Sequence, residues 1–132
     1  MSSTEPDLDL HSVIDLTTVG RLTGRLHRIE IWFAQHNGSL YLLSGGRDRS
    51  DWVRNLVADP IVTVRAGGTD HNGRGRIIDD PTEERLARDT VFAKYASRYG
   101  GDLTDWRESA LPIAIDLWRD SSCGSQARRV GV

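Results

Sequence analysis

Residues 12–18 alternate, with Ile14, Leu16 and Thr18 on one side and Val13, Asp15 and Thr17 on the other. That period of two is the mark of a strand with one buried face. Residues 28–35 repeat it, setting Ile29, Ile31 and Phe33 against Arg28, Glu30 and Trp32, and predict one continuous strand. His36-Asn37-Gly38 then supplies the strongest short hairpin signal, and residues 40–43 return as the next strand. Residues 61–66 are β-branched, Gly67-Gly68 turns the chain, and residues 69–78 pair back. Gly73 and Gly75 weaken that last run and point to bulges or a close backbone approach. Residues 112–118 offer a final strand, with Ile113, Ile115 and Leu117 on one face.

Helical spacing appears in two places. Ser50 is positioned to cap a short helix in which Trp52 and Leu56 share a face, and Asp59-Pro60 ends it. Asp80-Pro81-Thr82-Glu83 combines a cap, a proline at the first helical position and a capping-box glutamate. The long helix that follows is expected to run to about Tyr99, with Ala87, Val91, Tyr95 and Tyr99 in one line and Gly100-Gly101 stopping it. Residues 104–110 form at most a turn or two more. The order is therefore three strands, a short helix, two strands, a long helix and a strand. Hairpins in that order, without regular β-α alternation, favour a small closed or partly split antiparallel barrel with helices outside. The 132 residues fit a single domain, with residues 1–11 and 121–132 as loose tails.

Composition narrows the function. A net charge of -2 argues against nucleic-acid binding driven by the whole-protein field. No apolar run reaches the ~20 residues of a membrane helix. The polar, acidic first residues and the single Cys123 point to the cytoplasm. The four histidines are scattered, and one cysteine cannot build a thiolate cluster, so no metal site is expected. No nucleophile elbow is present. Residues 20–58 nevertheless hold Arg21, Arg25, Arg28, Arg47, Arg49 and Arg54 against Glu30, Asp48 and Asp51, which leaves a local anionic partner open.

Two loops carry the candidate chemistry. In Ser44-Gly45-Gly46-Arg47-Asp48-Arg49-Ser50 the glycines let backbone N–H groups approach a ligand, Arg47 and Arg49 offer guanidinium forks, and a helix begins at the same point. Thr17 to Arg25 adds hydroxyls, glycines and arginines between the first two strands. Neither loop has Walker A spacing. Each alone is an ordinary turn; together they favour a phosphorylated ligand.

The run T-T-x-G-R-x-T-G-R (Thr17 to Arg25) and the later run S-G-G-x-x-x-S-D-W-V-R-N-L-x-A-D-P-x-V-T-V-R (Ser44 to Arg65) resemble the deazaflavin-dependent nitroreductases. Those are flavin/deazaflavin oxidoreductases of the pyridoxamine 5'-phosphate oxidase-like split barrel. The resemblance implies an α+β fold, a six-stranded antiparallel split barrel with one short and one long packing helix. It implies coenzyme F-420, an 8-hydroxy-5-deazaflavin, as cofactor, with FMN the alternative. Hydride would pass to a quinone, nitroaromatic or other conjugated acceptor. A non-catalytic flavin, deazaflavin or haem carrier is the second reading.

By the same resemblance Arg21, Thr23, Gly24 and Arg25 would meet the phosphate or glutamyl tail. Ser44, Gly45, Gly46 and Arg47 would line the ring and its linker, and Arg49 and Ser50 would complete the anion seat. Trp52 and Asn55 are expected to hold the helix to the barrel. The cofactor carries the redox chemistry, so no catalytic acid or base is required. Tyr41, Tyr95 and Tyr99 are the candidate donors near the acceptor. Split barrels of this class often pair, and an exposed Trp32 or Trp118 would suit a homodimer interface.

Overall fold

A computed structural model describes residue 8, residues 11–96 and residues 103–118. Its strands are β1 (Ile14–Val19), β2 (Leu26–Ile31), β3 (Ala34–His36), β4 (Ser39–Ser44), β5 (Ile61–Ala66), β6 (Thr69–Ile77) and β7 (Leu111–Leu117). The helices are α1 (Asp51–Ala58), α2 (Pro81–Ala96) and α3 (Thr104–Ser109), with a 3-10 turn at Arg47–Arg49 before α1. The strands form one sheet in the order β2-β1-β5-β6-β7-β4-β3, and every neighbouring pair is antiparallel.

The two edge strands, β2 and β3, are consecutive in the chain and separated only by Trp32 and Phe33. A two-residue link can join opposite edges only if the sheet rolls until they nearly meet. The single strand expected over residues 28–35 is therefore broken at a corner, which gives seven strands where six were expected. The alternation could not reveal this corner. Ile29, Ile31 and Phe33 all pack with the inner cluster on both sides of it, so the period of two runs through unchanged.

Alternation along the strands fills two cores. Ile14, Leu16, Leu40, Leu42, Val62, Val64, Ile113 and Ile115 meet inside the roll with Phe33, and Val53 and Leu56 of α1 join them. Tyr41, Leu43 and Ala114, from the opposite face of β4 and β7, pack against Ala87, Val91 and Tyr95 of α2. Burying a side chain of this size contributes roughly 1.5–3 kcal/mol, so both faces of β4 anchor the fold. Tyr99 and Gly100-Gly101 lie outside the described residues, as does Cys123.

Gly75 shows why β6 carries glycine. A Cβ there would stand 2.4 Å from Leu56 Cδ1, so the helix packs directly on the strand backbone. The register of β6 with β5 and β7 is continuous, so the glycines mark close approach and not bulges.

Half of the capping box expected at the start of α2 forms. Asp80 Oδ2 accepts the Glu83 N–H at 2.8 Å, as the motif predicts. Glu83, in contrast, does not reach back to close a capping box. It accepts two bonds from Arg76 at 2.8 and 2.7 Å and one from the Tyr41 hydroxyl at 3.1 Å.

Candidate functional site

Rolling the sheet leaves a seam. β3 pairs with β4 only as far as Tyr41, so the stretch from Leu42 to Ser44 has no strand on that side, and the outer edge of β2 is likewise unpaired. Between them opens a cleft of about 560 Å³ lined by Val13, Glu30, Ile31, Trp32, Leu43, Ser44, Gly45, Ser50, Trp52, Leu103 and Trp106. Its size falls within the ~300–1,000 Å³ of small-molecule sites, and its walls are mainly aromatic and aliphatic.

The walls are held from behind. Trp32 stacks on Tyr95 with centroids 4.3 Å apart and rings 4° from parallel, and meets Trp106 edge-on at 5.6 Å. Tyr95 also fastens the β2–β3 corner. Its hydroxyl accepts the Phe33 N–H at 3.0 Å and lies within donating distance of the carbonyls of Phe33 (2.9 Å) and Ser12 (2.6 Å). Where the sheet ladder stops, a side chain from α2 satisfies the backbone.

The structure divides the ten residues proposed for the cofactor. Ser44, Gly45 and Ser50 line the cleft. Ser44 is buried, and its hydroxyl bonds the Arg47 carbonyl and Ser50 Oγ, both at 3.0 Å. The Ser50 hydroxyl thus faces Ser44 and makes no cap to α1. Gly45 is not required by packing. A Cβ there would meet only Trp106, at an ordinary 3.7 Å, and the position opens onto the cleft. Gly46 differs: a Cβ would lie 2.4 Å from Ser50 Oγ. Arg47 adopts φ 55°, and its guanidinium bonds the Ser109 carbonyl, linking the loop to α3.

The other loop docks on α1. Buried Asn55 accepts from the Arg21 N–H at 3.1 Å and the Arg21 guanidinium at 2.8 Å, and donates to Thr18 Oγ1 at 3.3 Å. Arg21 also pairs with Asp51 at 3.3 Å. Thr23 Oγ1 accepts the Arg25 N–H at 3.1 Å, and Gly24 takes φ 75°, so both shape the turn. The guanidinium groups of Arg25 and Arg49 are exposed and without a partner among the described residues.

Of the candidate donors, Tyr41 belongs to a charged cluster away from the cleft lining. Burial, then the neighbouring Glu83, pushes its hydroxyl up to about 12. Arg76 bridges Glu83 and Asp116, and its hydrogen bonds hold both carboxyls below their ordinary range. Those same two bonds raise the pKa of Arg76. The cluster ties β6, β7, β4 and α2 together.

Sequence reasoning missed Glu30 and Trp106 as cleft residues. It also took Trp32 for an exposed interface residue, whereas Trp32 is half-buried and stacked. Trp52 and Trp106 lie near the starts of expected helical segments, but Trp32 sits inside the strand expected over residues 28–35, so no local signal marked it. Among the described residues no group of three metal-ligating side chains occurs, and no helix is long and apolar enough to cross a membrane.

A rolled antiparallel sheet with an aromatic seam cleft defines the class: a split barrel like that of the pyridoxamine 5'-phosphate oxidases. Residues 4–117 match the F-420H(2)-dependent quinone reductase family, and the chain belongs to it. The family is one of oxidoreductases that use reduced coenzyme F-420. The resemblance to deazaflavin-dependent enzymes thus holds, with a quinone reductase family as the one matched. No curated protein matches the sequence.

Solved structures share the fold. An F420-H2 dependent reductase superposes with a TM-score of 0.63 at 17% identity, covering 79% of this chain and 93% of that one. A protein described as a candidate pyridoxamine 5'-phosphate oxidase from Listeria innocua gives 0.61 at 19% identity, covering 83% and 86%. HutZ, the heme storage protein of Vibrio cholerae, gives 0.61 at 15% identity, covering 83% of each chain.

Proposed function

We propose that the seam cleft seats the ring of reduced coenzyme F-420 beside a quinone. Nitroaromatic and other conjugated compounds are further acceptors in this reading. Gly45 is the observation that carries it. The fold has room for a side chain there, yet the position is left bare where it opens the cleft between Ser44 and Trp106. When bound, the deazaflavin supplies the hydride and the protein supplies orientation and electrostatics.

The chain's own residues divide the work. Trp32, Trp52 and Trp106 offer flat apolar faces to planar rings and keep water from them. The Ser44–Ser50 hydroxyl pair offers hydrogen bonds at the cleft wall. Arg25 and Arg49, whose guanidinium groups are uncommitted, are suited to the phosphate and glutamyl carboxylates, for which guanidinium forks are good ligands. Arg21, Thr23, Gly24, Gly46 and Arg47 hold the two loops in shape around them. The reading includes a cytoplasmic homodimer, with Trp118, 55% exposed, available to its interface.

Titration with F-420 and with FMN, followed by tryptophan fluorescence, tests the assignment. F-420 is expected to quench the cleft tryptophans and bind more tightly than FMN. Arg25→Ala and Arg49→Ala should each weaken F-420 binding by about 1–2 kcal/mol, a charge-assisted bond discounted for exposure. Tighter FMN binding would replace the cofactor; unchanged affinity in both variants would reject the anion seat.

A further inference from the structure

Glu30 is the one charged side chain in the cleft lining. Its carboxylate is exposed and has no partner among the described residues, in a chain where Arg and Lys number 17. No arginine among the described residues pairs with it. Arg21 is bound to Asn55 and Asp51, and Arg47 to the Ser109 carbonyl. Arg28 lies two residues along the same face of β2 without bonding to it. Asp15 stands directly opposite Glu30 in the β1–β2 register and adds a second negative charge. Asp15 is in turn opposite Arg65, but that guanidinium pairs with Asp70 at 3.0 Å.

The remaining walls are uncharged indole, aliphatic and hydroxyl groups. Such walls hold planar rings by area and stacking, which does not distinguish a neutral ring from one bearing an anionic substituent. The discrimination falls to the charge. A carboxylate at a partly apolar cleft acts through an effective dielectric below that of water, and over a few ångströms its repulsion of another anion is felt as severalfold in affinity.

We propose that Glu30 is a specificity-determining residue that selects uncharged or cationic quinones and turns away quinones bearing a sulfonate or carboxylate. The inference rests on the reading of the cleft as the acceptor site.

The test compares 1,4-naphthoquinone with 1,4-naphthoquinone-2-sulfonate on the full chain, by tryptophan quenching without cofactor and by steady-state oxidation of reduced F-420. The quantity read is the ratio of dissociation constants, sulfonate over parent, so that differences between the two quinones cancel when variants are compared. In Glu30→Gln that ratio is expected to fall by about three- to tenfold, and in Glu30→Lys further still. The wild-type ratio should also shrink as salt is raised, since screening weakens the repulsion. A ratio unchanged within twofold in both variants, with both quinones bound by the wild type, overturns the charge filter alone. If neither quinone quenches the tryptophans of the wild type, the acceptor-site reading fails and takes the filter with it.

Discussion

Replacing Tyr95 with phenylalanine isolates the bond that holds the barrel corner. The ring and its stack on Trp32 are kept, and only the oxygen is lost. Phe33 is fully buried, so its N–H loses its acceptor at 3.0 Å with no water to replace it. Leaving such a donor unsatisfied costs about 1–3 kcal/mol, and the carbonyl of Phe33 or Ser12 loses a donor worth about 0.5–1.5 kcal/mol. A total of about 2–4 kcal/mol is a large share of the 5–15 kcal/mol typical of a domain. With an unfolding entropy of roughly 2.1 cal/mol/K per residue, a chain of this length loses about 4 °C per kcal/mol, hence roughly 7–14 °C in Tm. Thermal melts by circular dichroism measure the loss, and hydrogen exchange at the Phe33 amide localises it. A Tm within about 2 °C of wild type, with that amide still protected, would refute the role at the corner. If turnover then fell sharply at unchanged stability, Tyr95 would be a proton donor instead.

Gly45→Leu should fold, since its Cβ meets only Trp106, yet weaken ligand quenching at least tenfold by filling the cleft; Gly46→Ala should lose stability through Ser50. Comparable binding in Gly45→Leu would move the ligand elsewhere. Arg76 lowers the pKa of both Glu83 and Asp116 from their ordinary 4.5 and 3.8. Their contribution is therefore complete above those values and lost as the pH falls below them, so Arg76→Met should flatten the decline of Tm in acid; parallel curves would contradict the linkage. Tyr41, raised from 10.0 to about 12, stabilises the fold fully below pH 10 and loses that contribution as the pH rises towards 12. A tyrosinate titration should show a component near pH 12 that Tyr41→Phe removes; its survival in the variant would reassign it.

Local patterns in the sequence carried the strands, the Asn37-Gly38 hairpin and the Asp80 cap, because each is written in neighbouring residues. The corner at Trp32–Phe33 was hidden because inward alternation is the same on a straight strand and on one that turns between sheet edges. Ser50 read as a helix cap, but its hydroxyl serves a different partner, and only the fold brings Ser44 within 3.0 Å of it. The Gly-rich loop stood out in the sequence, and its Ser44, Gly45 and Ser50 line the cleft. Glu30 and Trp106 did not stand out, since they reach the same cleft from segments 76 residues apart, with no local motif in common. The Arg76–Glu83–Asp116 cluster is equally a product of sheet order.

The central claim is that this barrel passes hydride from coenzyme F-420 to a quinone at the seam cleft. Steady-state oxidation of reduced F-420 by 1,4-naphthoquinone, with the purified protein and followed by the return of the deazaflavin's visible absorbance, tests it most directly. The account predicts saturable turnover that Gly45→Leu abolishes. Tight F-420 binding without turnover across a panel of quinones, or turnover supported only by reduced FMN, would contradict it.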